Sequence, residues 1–419
     1  MQKIYLDYAA TTPLDPKVKK SMEPYWSELF GNPMSLHLFG RDSAEGVEKS
    51  RQRLAEHFSV EPEEIIFTSG ATESNNLTVK GIINAIISYN KRYIGRIKTP
   101  DNFVPHIVTT GYEHHCLLNS VKDLVTCGLA EASFVQPDKD GIVNPKKIID
   151  SIQENTVLVS VMAVNNEIGT INDLESIGLS LRDLSLKRKE KAGLEDREAL
   201  PLYFHSDLTQ GVNYLNYNAR KIGLDLFSMS GHKIYGPKGI GLLGVRKGVI
   251  IKKIQQGGDQ EFNLRAGTHN VTGIVGMGAA IEEISKSQSF RTKKVLALRN
   301  HLKNQLERKI KKIQINGSME GRIANNLNIS FKGVEGESLL LLLSQSGIAC
   351  STGSACSSES LEPSHVLLSI GCSHPEAHSS LRFSLSHLTR KEDLDRTVEI
   401  LKQSVNKLRS ITGKIGDKL

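Results

Sequence analysis

Long hydrophobic runs are missing from this sequence of 419 residues. No apolar stretch approaches the roughly 18 uncharged residues that a membrane-spanning helix needs. The first residues also lack the apolar core of a secretory signal peptide. We therefore expect a cytoplasmic protein that does not associate with membranes.

Cysteine is scarce and shows no pairing pattern. The five cysteines are an odd number at irregular spacings, which favours reduced thiols in a cytoplasm. Metal-ligand patterns are also lacking. The side chains of Glu113-His114-His115-Cys116 point in different directions, and Cys372, His374 and His378 have no fourth ligand at a suitable spacing. We therefore predict that the protein binds no metal.

The composition is that of an ordinary globular protein, with 39% hydrophobic and 24% charged residues. A chain of 419 residues is too long for one compact core and suits two domains. The formal net charge of +7 is spread over the whole sequence, so we expect no direct binding to nucleic acid.

The stretch Ser230-Gly231-His232-Lys233 carries a strong chemical signal. It follows the apolar run Leu224–Met229, which predicts a buried strand of a parallel sheet. A lysine at the end of a buried strand is costly unless it is paired or used chemically. Lys233 is therefore either a Schiff-base lysine for pyridoxal phosphate or a lysine whose charge emerges at a loop.

Two further strand ends carry groups that could reach the same pocket as Lys233. After the strand Ile65–Thr68, the turn Ser69-Gly70-Ala71-Thr72 opens a helix. This turn is either a phosphate cradle or an ordinary helix cap, and it lacks the Gly-Lys-Ser/Thr of a Walker loop. Asp207 ends a strand one strand–helix–strand unit before Lys233, with Gln210 one turn later. A carboxylate there suits the pyridine nitrogen of the cofactor.

Three more polar positions follow predicted strands or lie within them. His114 comes after the strand Ile107–Thr110 and is a candidate acid/base or ring-stacking residue. The apolar strand Val157–Val164 ends in a polar cluster that includes Asn166, at an edge where α/β ligand sites form. Arg382 lies in a strand-like segment, where its guanidinium could hold a substrate carboxylate.

The segment Ser351–Ser360 has no large apolar side chain and predicts a mobile loop with the thiol of Cys356 in its middle. Cys350 is the competing thiol, and we expect it to be buried. Two charged segments, Ser88–Pro105 and Lys187–Glu198, are predicted to be surface excursions.

The run Gly239–Gly244 matches the G-x-G-x-x-G pattern of dinucleotide-binding proteins. That fingerprint must open a helix, whereas the residues from Val245 onward continue an apolar strand pattern. We therefore predict a strand here and no dinucleotide site.

Taken together, seven motifs resemble the cysteine desulfurases of the class V aminotransferase family, and within it the NifS/IscS-like group. The similarity runs nearly end to end. The motifs are Tyr5–Pro13, Phe30–Pro33, Thr68–Ser74, Val164–Gly169, Ser230–Lys233, Gly353–Cys356 and His378–Phe383.

The resemblance implies the α/β architecture known as fold type I of the pyridoxal-phosphate-dependent transferases. A large cofactor-binding domain with a mainly parallel seven-stranded sheet would span residues 16–264. Residues 1–15 and 265–419 would form a smaller α+β domain that carries the catalytic cysteine loop.

The resemblance also implies a role for each matching position. The catalytic residues would be Lys233, which binds the coenzyme covalently, the nucleophile Cys356, and His114, which moves protons. The cofactor-binding residues would be Ala71, Thr72, His114, Asn166, Asp207, Gln210, Ser230, His232 and Lys233, with Thr268 from the second subunit of a homodimer. The substrate-binding residues would be Asn32, Asn166 and Arg382.

The implied activity is conversion of L-cysteine to L-alanine, with transfer of the sulfur to a cysteine persulfide on the enzyme. An acceptor protein for iron–sulfur cluster assembly or tRNA thiolation would then take the sulfur. The alternative enzymatic hypotheses are a selenocysteine lyase or another class V member such as an aminotransferase. A cofactor-free scaffold for sulfur-transfer proteins is the alternative from a different class.

The sequence departs from the family pattern at two places that bear on these expectations. Leu208 stands where alanine is usual, so we expect altered packing beside Asp207. The sequence also continues only a short way past Ile411, whereas relatives use a longer extension to contact their scaffold protein. We therefore expect that contact to differ.

Overall fold

The computed structural model describes residues 3–92, 103–194, 199–352 and 362–416. Twelve strands and fourteen helices lie within these residues. The strands are β1 Ile4–Tyr5, β2 Ile65–Thr68, β3 His106–Thr110, β4 Glu131–Val135, β5 Thr156–Ser160, β6 Tyr203–Asp207, β7 Leu226–Ser230, β8 Gly241–Val245, β9 Ile313–Ile315, β10 Asn326–Phe331, β11 Ile348–Ala349 and β12 Ser380–Ser384. The helices are α1 Pro16–Met22, α2 Pro24–Ser27, α3 Leu38–Phe58, α4 Ala71–Arg92, α5 His115–Thr126, α6 Pro145–Asp150, α7 Leu174–Leu194, α8 Ala219–Ile222, α9 Gln260–Asn263, α10 Val271–Lys309, α11 Gly336–Gln345, α12 His365–Ser369, α13 His374–His378 and α14 Lys391–Gly416.

Seven strands form the central sheet in the order β2-β8-β7-β6-β5-β3-β4. Strand β8 is antiparallel to both of its neighbours, and all other neighbouring strands are parallel. The predicted α/β fold with a mainly parallel seven-stranded sheet is therefore confirmed. The G-x-G-x-x-G run leads into β8, as its apolar continuation predicted.

Helices cover both faces of this sheet, which explains why its strands are continuous apolar runs. Successive residues of a strand face opposite sides. Leu226 of β7 and Leu158 of β5 join the buried cluster that α4 and α5 cover. Phe227 and Val159, one position further along each strand, join the larger cluster that α3, α7 and α10 cover.

A smaller unit packs beside the central sheet. Strands β9, β10 and β12 form an antiparallel sheet in the order β12-β10-β9, and β1 pairs in parallel with β11. Asp7 makes a parallel bridge to Ser384, so the segment after β1 reaches this sheet as well. The pairing agrees with the grouping of residues 1–15 and 265–419, and this division of the chain stays a prediction.

The two charged segments belong in part to long helices. Helix α4 continues to Arg92 and α7 continues to Leu194, so parts of both predicted surface excursions are helical. Lysine, arginine, glutamate and leucine are good helix formers, and a charged exposed face does not interrupt a helix. Residues 93–102 and 195–198 lie outside the described part of the chain. Within that part, no helix has the length and apolar character needed to cross a bilayer.

Candidate active site

A cavity of about 710 Å³ opens at the carboxyl ends of β6 and β7, beside the first turn of α4. Loops at this edge of a parallel sheet commonly form ligand sites. Ten of the residues predicted for the site line this one cavity. They are Ala71, Thr72, His114, Asn166, Asp207, Gln210, Ser230, His232, Lys233 and Arg382.

Lys233 lies at the cavity wall, in a short 3₁₀ turn directly after β7. Its Nζ donates to the carbonyl oxygens of Ala9 and Ala10, each at 2.6 Å. Thr12 holds the segment that contains Ala9 and Ala10 against the lysine turn, because its backbone N–H and its hydroxyl both donate to the carbonyl of His232 at 2.9 Å. The segment that follows β1 thus forms one side of the cavity and binds the lysine amine.

Asp207 is buried at the end of β6 and faces the cavity. Its Oδ2 accepts a hydrogen bond of 2.8 Å from Asn75 Nδ2, and its Oδ1 accepts one of 2.9 Å from the backbone N–H of Thr209. The neighbouring Leu208 is fully buried in the core, and its N–H donates to Ser228 in β7 at 2.9 Å. Leu208 is therefore part of the core directly beside the carboxylate, and the expected difference in packing from relatives with alanine stays a prediction.

His114 is held at the start of α5. Its Nδ1 caps the helix by accepting from the backbone N–H of Cys116 at 3.2 Å. Burial lowers the pKa of His114, and the charge of Lys233 adds to this effect while Asp207 opposes it. The imidazole is therefore neutral near pH 7, which is the form that can take up a proton.

The predicted phosphate cradle lies where the turn before α4 meets β7 and β8. The first N–H groups of α4 have no partner within the helix, and they lie at the positive end of its dipole. Gly241 allows β8 to pass close to the turn before α4, because an added Cβ at this position would lie 2.5 Å from the Cα of Gly70. Burial lowers the pKa of His232 to about 4, with a further effect from Lys233 and Lys238, so this ring also stays neutral.

Arg382 enters the cavity from β12 of the smaller unit. One terminal nitrogen donates to Asp7 Oδ1 and the other to the carbonyl of Asn166, both at 2.9 Å. Its Nε is buried and has no hydrogen-bond partner within the described chain. The guanidinium is thus fixed in place and retains capacity for a carboxylate ligand.

Several cavity-wall residues were missed from the sequence. Ser364 donates to Glu167 Oε2 at 2.5 Å, and burial raises the pKa of Glu167 to about 7. His365 begins α12, and its Nε2 lies 3.0 Å from the carbonyl oxygen of Glu113. Glu167 belongs to the polar cluster after β5, which was a usable signal, whereas nothing local marks Ser364 or His365.

Two of the predicted site residues that the structure describes lie away from this cavity. Asn32 and Thr268 do not line it. Cys356 lies outside the described residues. Cys350 is buried, as predicted, and burial raises the pKa of its thiol far above the ordinary value. Cys350 is therefore a poor candidate for the nucleophile.

The family can be assigned from comparison with known proteins. The model of the class-V aminotransferases matches residues 4–397. The chain belongs to the class-V aminotransferase family, as its motifs predicted.

Within this family, the chain is similar to proteins named cysteine desulfurase IscS. The one from Dictyoglomus turgidum is 41% identical over 411 residues, which cover 98% of this chain and 96% of the relative. The one from Methanosarcina thermophila is 40% identical over 409 residues, which cover 98% and 93%. The predicted resemblance to cysteine desulfurases is confirmed.

Solved structures give the same result for the fold. A NifS-like protein matches with a TM-score of 0.83 and 32% identity, over 97% of this chain and 100% of that chain. The protein SspA in complex with cysteine matches with a TM-score of 0.75 and 29% identity, over 93% and 100%.

Proposed function

We propose that this chain is a pyridoxal-phosphate-dependent cysteine desulfurase, which converts L-cysteine to L-alanine and transfers the sulfur to Cys356. The convergence of Lys233, Asp207, His114 and Arg382 on one cavity carries the proposal. An amine, a buried carboxylate, a neutral imidazole and a guanidinium are the groups that this chemistry requires. The relatives named cysteine desulfurase and the neighbour bound to cysteine support the same substrate.

The residues present fit pyridoxal phosphate. The Asp207 carboxylate accepts from two neutral donors, Asn75 and Thr209, and lines the cavity, so its negative charge suits a protonated pyridine nitrogen. Lys233 would bind the aldehyde carbon. The first turn of α4, with Ala71 and Thr72, would hold the phosphate.

The remaining cofactor contacts would come from the same wall. Ser230 and His232 would add donors to the phosphate, Gln210 would contact the ring oxygen, and His114 would stack on the ring. When bound, the cofactor supplies an electron sink for the α-carbon of the substrate.

The protein groups would place the substrate and donate hydrogen bonds to it. Arg382 and Asn166 would hold the substrate carboxylate, because both line the same cavity as Lys233. His114 would donate a hydrogen bond to the substrate from Nε2, since its Nδ1 accepts from the backbone and the neutral ring then carries its hydrogen on Nε2. The lowered pKa of the buried imidazole keeps the ring neutral at neutral pH.

Sulfur transfer would then take place at Cys356. The Cys356 thiolate forms a bond to the substrate sulfur while the bond from that sulfur to the substrate β-carbon breaks. The electron pair of the broken bond stays with the substrate carbon, which takes up a proton and leaves as alanine. One thiol and one cysteine thus give one persulfide and one alanine, and no external oxidant is needed.

A homodimer would complete the site. Asn32 and Thr268 do not line the cavity of their own chain, so they are available to that of a second copy. Six large apolar side chains between residues 26 and 39 are exposed, and a stable monomer rarely leaves such a cluster uncovered. They are Trp26, Phe30, Met34, Leu36, Leu38 and Phe39.

The dimer can be tested by complementation. We expect the wild-type chain to have the mass of a dimer in light scattering. Lys233→Ala and Thr268→Ala chains, each impaired alone, should regain activity after mixing and subunit exchange. One of the two sites of a mixed dimer would then contain both wild-type residues. A monomeric mass, or no recovery in mixed dimers, contradicts a shared site.

The sulfur would pass from the Cys356 persulfide to an acceptor protein, for iron–sulfur cluster assembly or tRNA thiolation. The persulfide must meet its acceptor outside the cavity, so the acceptor would dock near the mouth. Capture of a partner that carries radiolabelled sulfur after incubation with labelled cysteine would identify the pathway.

The activity is tested with L-cysteine and a reducing thiol. We expect alanine and sulfide in equal amounts, and a yellow protein before substrate is added. Cys356→Ser should stay yellow but release no sulfide, whereas the control Cys127→Ala, at an exposed thiol, should remain active. A colourless protein, or a keto acid in place of alanine, contradicts the proposal.

A further inference from the structure

A chain of hydrogen bonds joins the carboxylate of Asp207 to the imidazole of His114. Asn75 Nδ2 donates to Asp207 Oδ2 at 2.8 Å and contacts the Sγ of Cys116 at 3.1 Å. The same sulfur lies 2.9 Å from His114 Nδ1. Asn75 and Cys116 thus connect Asp207, the proposed partner of the pyridine nitrogen, to His114.

The chemistry of the donors fixes the direction of this chain. The Asn75 amide nitrogen carries two hydrogens and no acceptor lone pair, so it donates to both Asp207 and Cys116. The sulfur therefore accepts from Asn75 and keeps its own hydrogen for His114 Nδ1. Burial raises the pKa of the Cys116 thiol to about 12, and the charge of Asp207 adds to this. The thiol accordingly remains a donor at every pH at which the enzyme would work.

Two donors thus point at one nitrogen of the ring. His114 Nδ1 accepts from the backbone N–H of Cys116 at 3.2 Å as well as from its thiol. The ring hydrogen must then lie on Nε2 in the neutral imidazole.

We propose that Cys116 is a positioning residue whose thiol, oriented by Asn75, holds the neutral His114 ring with its hydrogen on Nε2. This inference rests on the proposed function and refines it. Cys116 lines the cavity, yet it would take no part in sulfur transfer. Its value lies in keeping the lone pair of Nδ1 occupied, so that the neutral ring keeps its hydrogen on Nε2, where it can donate a hydrogen bond to the substrate.

Other charges around His114 are unchanged by a substitution at Cys116, which makes the position suitable for a test. Asp207 after β6 and Lys233 after β7 act on the ring in opposite senses, and His115 lowers its pKa. Burial lowers the pKa of His365 at the start of α12, and the nearby His114 adds a smaller effect in the same direction. These groups act on the pKa of His114 in the wild type and in the Cys116 variants alike. A change of that pKa in a variant therefore reports the loss of the thiol hydrogen bond.

The test measures the pKa of His114 by NMR in the full-length chain loaded with cofactor. The protein carries 13 histidines, so labelled imidazole signals are assigned with a His114→Gln variant. Cys116→Ala removes the donor to the neutral ring, so the pKa should rise by about half a pH unit, because an ordinary neutral hydrogen bond corresponds to somewhat less than one pKa unit. The pH at which alanine formation reaches half its maximum should move in the same direction.

Two variants serve as controls. Cys116→Ser keeps a group that accepts and donates, so it should restore the wild-type pKa and pH profile. Cys127→Ala alters an exposed thiol at the other end of α5 and should change neither. A thiol that only fills space would give Cys116→Ser and Cys116→Ala the same profile.

The outcomes separate this inference from the proposed function. An unchanged His114 pKa in Cys116→Ala, or an equal change in Cys116→Ser, overturns the inference while the wild-type chain still forms alanine. No alanine from the wild-type chain overturns the proposed function and, with it, a catalytic role for the hydrogen-bond chain.

Discussion

Replacement of Glu261 by glutamine should destabilise the protein strongly, although this residue lies outside the cavity. The Glu261 carboxylate is buried and pairs with both terminal nitrogens of Arg51, at 2.7 and 3.0 Å. It also accepts from the N–H of Phe67 at 2.7 Å, and its Oε1 lies 2.8 Å from His269 Nε2. Residues 261–263 have φ values of 47°, 55° and 64°, a left-handed conformation that non-glycine residues adopt only at a cost. The buried ion pair holds this strained left-handed turn of α9 in place.

The magnitude follows from the pKa of Glu261. Burial alone would raise it, but the hydrogen bonds and charge of Arg51, together with His269, lower it to about 2 from an ordinary 4.5. This difference corresponds to about 3 kcal/mol of stability for the ionised carboxylate. Loss of one partner of a buried ion pair costs about 3–5 kcal/mol, which agrees.

The assay is guanidinium unfolding followed by circular dichroism, at pH 7 and again at lower pH. The folded-state pKa is depressed, so the stabilisation is present above the unfolded-state pKa near 4.5 and is lost as pH falls toward 2. The difference in the free energy of unfolding between wild type and Glu261→Gln should therefore be largest at pH 7 and smaller at pH 3. Glu48→Gln is the matched control, because Glu48 pairs with the same Arg51 but is 62% exposed, and it should cost less than about 1 kcal/mol. A glutamine variant as stable as wild type at pH 7, or a gap that stays constant down to pH 3, would refute the reasoning.

Three further predictions concern the cavity. Lys233→Ala should abolish the pyridoxal adduct that borohydride fixes to the protein, and mass spectrometry that still finds an adduct would place it on another lysine. Iodoacetamide at pH 7 should alkylate Cys127 well before Cys116, because Cys127 is exposed and burial raises the pKa of Cys116 to about 12; faster alkylation of Cys116 would contradict its burial. Asp7→Asn should tighten the binding of a carboxylate inhibitor, measured by calorimetry, because it removes the anion paired with Arg382 at 2.9 Å; weaker binding would show that Asp7 mainly holds Arg382 in place.

Strand ends were the part of the site that sequence could predict. An apolar run buried on both faces marks a central parallel strand, and its carboxyl end lies at the edge where ligands bind. Asp207 ends one predicted strand, and Lys233 follows the next one by a short turn, one strand–helix–strand unit later. These strand ends predict that both residues reach one cavity. The mainly parallel sheet and the family followed from the same motifs.

The contacts between distant segments could not be predicted in this way. The pairing of Asp7 with Arg382 joins residues 375 positions apart, and the Asn75 contact with Cys116 spans 41. Periodicity and capping report only on neighbours within a few turns, so they carry no signal for such pairs. The extensions of α4 and α7 were missed because their charged exposed faces are compatible with a loop as well as with a helix.

The contacts of residues 4–12 bear on the order in which this protein folds. The N–H of Ala9 binds the hydroxyl of Ser384 at 2.8 Å, 375 residues further along the chain, and β1 pairs with β11. A ribosome synthesises the early segment first, yet its partners in β11 and β12 emerge only near the end of synthesis. Long-range pairing of this kind slows folding. We therefore expect the wall of the pocket that this segment forms, whose carbonyls bind the amine of Lys233, to close late in folding.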